Sequence, residues 1–165
     1  MKIRDDYTCP LEIAHDIIKG KWKTIIMYQM KDGPKGLSEL EHSIEGITQK
    51  MLLEQLHDLI EFGLVEKKTY DGYPLRVEYS ITQRRGRKMI EAIDILQMIG
   101  VDYMVERGLT DSLVDKGILS AQEIEMIEGG NEEDIKCLIA KYFSEKKVKK
   151  QREKLTSLGV IYRYE

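Results

Sequence analysis

The stretch GITQKMLLEQLHDLIEFGLV, residues 46–65, reads as one helix with a marked start and stop. Thr48 is the kind of small polar residue that caps a helix N-terminus. Leu52, Leu56, Leu59 and Ile60 fall at i, i+4, i+7 and i+8, one stripe facing a core. Gly63 stands where a C-cap glycine is expected. The opposite side carries Gln49, Lys50, Glu54 and His57. Such a face is either merely solvated or shaped for a partner, and the flanking segments must decide.

Those segments form a consistent series. CPLEIAHDIIKG reads as a short helix with Pro10 at the first helical position, Leu11, Ala14, Ile17 and Ile18 on one face, and Gly20 as its stop. A second helix buries Trp22, Ile25, Ile26 and Met30 before Asp32-Gly33-Pro34 turns the chain. LSELEHSI opens on a capping box, Ser38 with Glu41, and breaks at Glu45-Gly46. After the 46–65 stretch, Leu64, Val65, Val77, Tyr79 and Ile81 fit two short strands, with Asp71-Gly72 as the hairpin signal. Thr82 can cap a long amphipathic helix carrying Met89, Ile90, Ile93, Leu96, either Ile99 or Gly100, and Tyr103. Two helices joined by a tight Gly turn and followed by a two-stranded ribbon define a winged helix-turn-helix, mainly α with a small β-hairpin.

The chain has 165 residues, enough for one domain with an appendage. A first domain over 1–108 and a helical extension over 109–165 are expected. Residues 101–135 hold ten acids and two bases, and 136–163 hold nine bases and two acids. Ser120 and Glu123 form a second capping box, and Asn131 can cap a last helix carrying Cys137 on its apolar side. A net charge of -3 requires that any nucleic-acid binding come from local charge. Two distant cysteines imply no disulfide framework and fit a reducing cytoplasm. No signal peptide or membrane-length apolar run is present, so a complete cytoplasmic chain is expected.

Groove reading needs donors and acceptors spaced by a helical turn near a helix start. Gln49 suits adenine, Lys50 guanine or phosphate, Leu53 a thymine methyl, Glu54 cytosine, and His57 a base or phosphate one turn on. Thr48 suits a phosphate oxygen, and Ser38 joins the set from the preceding helix. Residues 67–88 carry Lys67, Lys68, Arg76, Arg84, Arg85, Arg87 and Lys88 against Asp71 and Glu78, seven minus two, or +5. A basic ribbon can straddle a phosphate backbone, with Arg76 placed to enter a narrow minor groove. The alternative is a set of charges that keeps an edge strand from pairing. His15, His42 and His57 lie on separate elements with no Cys pair at finger spacing, and no P-loop, dinucleotide glycine pattern or nucleophile elbow occurs. No metal, cofactor or enzymatic activity is therefore expected.

The combination of Cys9-Pro10, Gly20-Lys21-Trp22-Lys23, GPKGLSEL, GITQKML, LHDLIEFGLV and PLRVEYSIT resembles the HxlR-type winged-helix regulators over residues 7–105. The resemblance implies a homodimeric transcriptional regulator on palindromic double-stranded DNA, paired through the first helix and the long helix 86–107. Some family members sense oxidants or electrophiles through a cysteine matching Cys9. That residue precedes Pro10 at a helix N-cap, where the dipole favours a reactive thiolate; a small buried cysteine is the alternative. Two positions depart from the family pattern. Gly86 stands four residues after Thr82 instead of three, and His57-Asp58 occupy the outward face where a base is common. The rival to the DNA-binding reading is a winged-helix protein-interaction module.

Overall fold

The computed structural model describes residues 6–73, 75–115 and 117–128. In chain order the elements are α1 (Pro10–Ile18), α2 (Trp22–Gln29), β1 (Lys35–Gly36), α3 (Leu37–Ser43), α4 (Gln49–Glu61), β2 (Val65–Tyr70), β3 (Arg76–Ile81), α5 (Arg85–Glu106), α6 (Asp111–Asp115) and α7 (Ala121–Glu128). Helices α3 and α4 with β2–β3 form the expected winged helix-turn-helix.

The leucine stripe is buried as its spacing predicts. Leu52, Leu56 and Leu59 of α4 meet Ile26, Met27 and Met30 of the α2 segment in one core. Ile60 is the exception, since 36% of it stays exposed at the edge of the stripe. Thr48 caps α4 through its Oγ1, which accepts the Met51 N–H at 3.3 Å. Gly63 ends the helix at φ +68°. Its N–H donates to Ile60 O, and the Leu64 N–H donates to Leu59 O, both at 2.9 Å. This is a Schellman closure, and it satisfies two carbonyls that the helix end leaves without partners.

The capping box expected at Ser38 does not form. Lys35 and Gly36 are drawn into a short strand against β3, so α3 starts at Leu37 with Gly36 as its cap. Ser38 is then already inside the helix, and its Oγ lies 3.4 Å from His42 Nδ1 instead. The sheet thus has three antiparallel strands in the order β1-β3-β2. Strands β2 and β3 pair from Val65↔Ile81 to Tyr70↔Arg76. Five residues separate them, so the wing tip is an open loop and not a two-residue turn.

Packing divides the chain inside α5, at Asp94 and Ile95. In the second unit Val101, Leu113, Leu119 and Ile124 form a separate small core. The Ser120–Glu123 capping box is present, with the Glu123 N–H donating to Ser120 Oγ at 3.2 Å and the Ser120 N–H to Glu123 Oε2 at 2.7 Å. The helix expected from Asn131, with Cys137, lies outside the described residues.

The start of α5 is as crowded as a backbone allows. A Cβ at Gly86 would stand 2.2 Å from Leu64 O and 2.8 Å from Ile81 Cγ2. Gly86→Ala is therefore expected to lower the unfolding free energy by about 2 kcal/mol. Gly33→Ala, with nothing within 4 Å of the added carbon, should stay within about 0.5 kcal/mol of the parent. Urea melts of the two variants measure the difference; equal stability would mean that the close approach has no energetic weight.

Candidate nucleic-acid interface

Burial of the leucine stripe turns the remaining face of α4 outward. Gln49, Lys50, Leu53, Glu54 and His57 are all exposed, at spacings of three to four residues that place them along one side. Leu53 is 43% exposed, an apolar side chain displayed among polar ones. Gln49 Nε2 lies 3.5 Å from Glu41 Oε2 on α3. Thr48 is exposed at the helix start, where backbone N–H groups and the dipole favour an anion. Ser38 is exposed on α3. Gly46, at φ +81°, makes the turn that sets α4 after α3.

Asp58 does not share that outward face. Its carboxylate meets the Lys23 ammonium of α2 at 2.8 Å, with only 3% of the lysine side chain and 17% of the aspartate side chain exposed. Burial pushes the Asp58 carboxyl up, but hydrogen bonding led by Lys23, together with nearby positive charge, holds it below its usual 3.8. Lys23 Nζ also lies 5.8 Å from the centre of the Phe62 ring. The outward departure from the family pattern is thus reduced to His57. A lysine is normally read as a solvated residue, which is why sequence reasoning missed Lys23. His57, Asp58 and Glu61 each bring one ligating atom to within 4.8 Å of the others. The ammonium on Asp58 opposes a cation there, and we read His57 and Glu61 as exposed groups beside the Lys23–Asp58 pair.

The ribbon is electrically balanced. Residues 65–81 hold Lys67, Lys68 and Arg76 against Glu66, Asp71 and Glu78, three minus three, or zero. Arg76 forms an ion pair with Glu78, and its guanidinium carbon lies 5.3 Å from the centre of the Tyr70 ring. Lys68 Nζ sits 4.8 Å from the same ring and is registered opposite Glu78. Hydrogen bonds from Tyr70 and Arg76 hold the Glu78 carboxyl below the usual range. Lys67 is exposed. The excess charge instead lies at residues 84–88, where Arg84, Arg85, Arg87 and Lys88 face no acid in the same stretch. Arg85 Nη1 donates to Phe62 O and Arg87 Nη1 to Lys31 O, each at 3.4 Å. Tyr73, fully exposed in the wing loop, and Tyr70 were not singled out by the sequence; their signal was only an aromatic on each side of Asp71-Gly72.

Cys9 caps α1, as its place before Pro10 predicts. Its Sγ lies 3.5 Å from the Leu11 N–H, and its own N–H donates to Glu12 Oε1 at 3.1 Å. The residue is exposed, so the buried-cysteine alternative does not hold. No helix among the described residues is long and apolar enough to cross a membrane.

The fold and the displayed helix face define a winged helix-turn-helix regulator. Residues 17–107 match the HxlR-like helix-turn-helix family, and the chain belongs to it. Cys9 and Pro10 precede the matched stretch. Its relatives are transcriptional regulators. YkvN of Bacillus subtilis is 44% identical over 77 residues, 47% of this chain and 65% of YkvN, just under two thirds of that protein's length. A regulator of Methanothermobacter thermautotrophicus is 39% identical over 60% of this chain and 75% of its own length. Among solved structures, the oxidised form of the redox regulator HypR is 39% identical with a TM-score of 0.53, covering 56% of this chain and 94% of HypR. Its reduced form is 37% identical with a TM-score of 0.54, covering 62% and 99%.

The Lys23–Asp58 pair yields a pH-dependent expectation. A carboxylate held below its unfolded value contributes stability above that value and loses it as pH falls through the folded value. Asp58→Ala should lower stability at neutral pH by about 3 kcal/mol, because it leaves a buried ammonium without its carboxylate. The gap from the parent should close as the pH drops below the usual carboxylate range. A gap that persists into strong acid would assign the loss to packing and not to charge.

Proposed function

We propose that the protein is a homodimeric, sequence-specific regulator of transcription that binds a palindromic operator in double-stranded DNA. The observation that carries this reading is the outward row of Gln49, Lys50, Leu53, Glu54 and His57 on a helix whose other side is locked by leucines. In this reading those five side chains contact base edges, with Thr48 and Ser38 on phosphates. Lys67, Lys68, Arg76 and Arg84 hold the backbone. Arg85 was expected among them, but its guanidinium faces Phe62 O.

A palindrome requires two reading helices about one DNA turn apart, hence a dimer. Surplus apolar surface supports it: Ile95, Leu96, Ile99 and Tyr103 of α5 and Leu11 of α1 are each more than half exposed. Residues 1–108 then serve as the DNA-binding and dimerisation domain and 109–165 as a helical extension, in the cytoplasm. The exposed Cys9 and the likeness to HypR support a response to oxidants or electrophiles. The balanced charge of the ribbon favours one rival, a winged-helix module that binds protein and little DNA.

Salt titration separates the two. Affinity for random duplex should fall linearly in log salt, by about 0.9 in slope for each phosphate contacted. Gln49→Ala should cost about 1–3 kcal/mol on a selected operator and relax preference at one base pair. A protein that ignores duplex at low salt is the interaction module.

For the sensor, Cys9→Ser should bind DNA as the parent does at rest and fail to respond to a quinone. A full response in that variant would remove Cys9 from signalling.

A further inference from the structure

We infer that Arg85 is a positioning residue for the reading helix and not a phosphate contact, acting with Thr82 to fix the C-terminal end of α4. The inference rests on the DNA-binding reading above and assigns this residue a different part in it.

Three successive carbonyls just beyond α4 are each held by Thr82 or by Arg85, the residue that opens α5. Phe62 O accepts from Arg85 Nη1 at 3.4 Å. Gly63 O accepts from Thr82 Oγ1 at 2.7 Å. Leu64 O accepts the Thr82 N–H at 3.0 Å. Thr82 closes the junction from the other side, its Oγ1 accepting the Gly86 N–H at 3.0 Å and its carbonyl the Arg87 N–H at 2.9 Å. No slack remains, because even a Cβ on Gly86 would strike Leu64 O.

The electrostatics agree. Arg85 is the first residue of α5, whose opening turn holds no acid. A cation there is disfavoured by the dipole of its own helix. The same guanidinium points at the C-terminal end of α4, where a cation is favoured and carbonyls lack helical partners. The position of Arg85 is therefore explained by α4. Arg84 has no such contact among the described residues and remains available to a phosphate. Base reading demands that a helix be held to fractions of an ångström, whereas phosphate attraction tolerates misplacement. Loosening the junction should thus degrade discrimination and leave the sequence-blind affinity alone.

The test uses two probes: a duplex that the full-length parent selects from a random library, and a random duplex, each titrated over salt. All variants are compared where circular dichroism shows them folded. In Arg85→Gln the ratio of selected to random affinity should fall about tenfold, the scale of one charge-assisted hydrogen bond. The salt slope on random duplex should stay at the parent value. Arg84→Gln should do the reverse, keeping the ratio and losing about 0.9 in slope. Arg85→Lys should recover most of the ratio, because an ammonium also donates to terminal carbonyls. Thr82→Val, which carries no charge change, should lower the ratio as Arg85→Gln does, and it bears the test if Arg85→Gln does not fold. A slope lowered by about 0.9 in Arg85→Gln, or a ratio unchanged in either variant, overturns the inference while the DNA-binding reading stands. A parent that binds neither duplex overturns both.

Discussion

An ammonium group cannot be taken out of water without a counter-charge, and Lys23 finds one in Asp58 at 2.8 Å. The consequence is rotational. Leucines alone would hold α4 against α2 by area, and area is forgiving of a helix that turns a little about its axis. The ion pair is not forgiving, because Asp58 must point inward wherever Leu52, Leu56 and Leu59 do. The residues left outside are therefore a defined set, Gln49, Lys50, Leu53, Glu54 and His57, with Ile60 and Glu61 exposed at the far end of the helix. Pairs of this kind contribute little net stability once desolvation is counted. What this one contributes is the heading of a surface.

Charge elsewhere follows strand register more than chain order. Summed along residues 67–88 the chain is strongly basic. Folded, Lys68 faces Glu78 across the ladder and Arg76 is bound to the same carboxylate. Glu66, one residue outside that window, bonds Ser80 on the same face of the ribbon. The ribbon's field is then that of close opposite pairs, which dies off within a few ångströms. The reach of the positive potential comes from 84–88 at the base of the wing. A duplex approaching this protein would be drawn toward the base of the wing before it met the tip.

Much of the fold was legible because it is written in period and punctuation. The leucine stripe, the Thr48 cap, the Gly63 stop and the alternation of Val77, Tyr79 and Ile81 all obey local rules. Failures occurred where distant residues decide. β1 is two residues long, too short for any periodicity, and exists only because β3 offers it an edge. That pairing moved the start of α3 and dissolved the expected Ser38–Glu41 box. Lys23 looked like any surface lysine beside Trp22, since nothing local announces a burial partner 35 positions away. On the interface, the row on α4 was readable from spacing alone. The ties of Arg85 and Arg87 were not, because each is made to a carbonyl on a distant turn.

Helix α1 has nine residues and no buried side chain. A segment that short does not hold its shape in water unaided. Its order is borrowed from Ile17, which rests on the core, and from bonds at its first turn. One of the acceptors at that turn is sulfur. The atom that finishes the helix is thus also the most nucleophilic atom in it. Modification of that sulfur would therefore remove one of the acceptors that hold the first turn of α1.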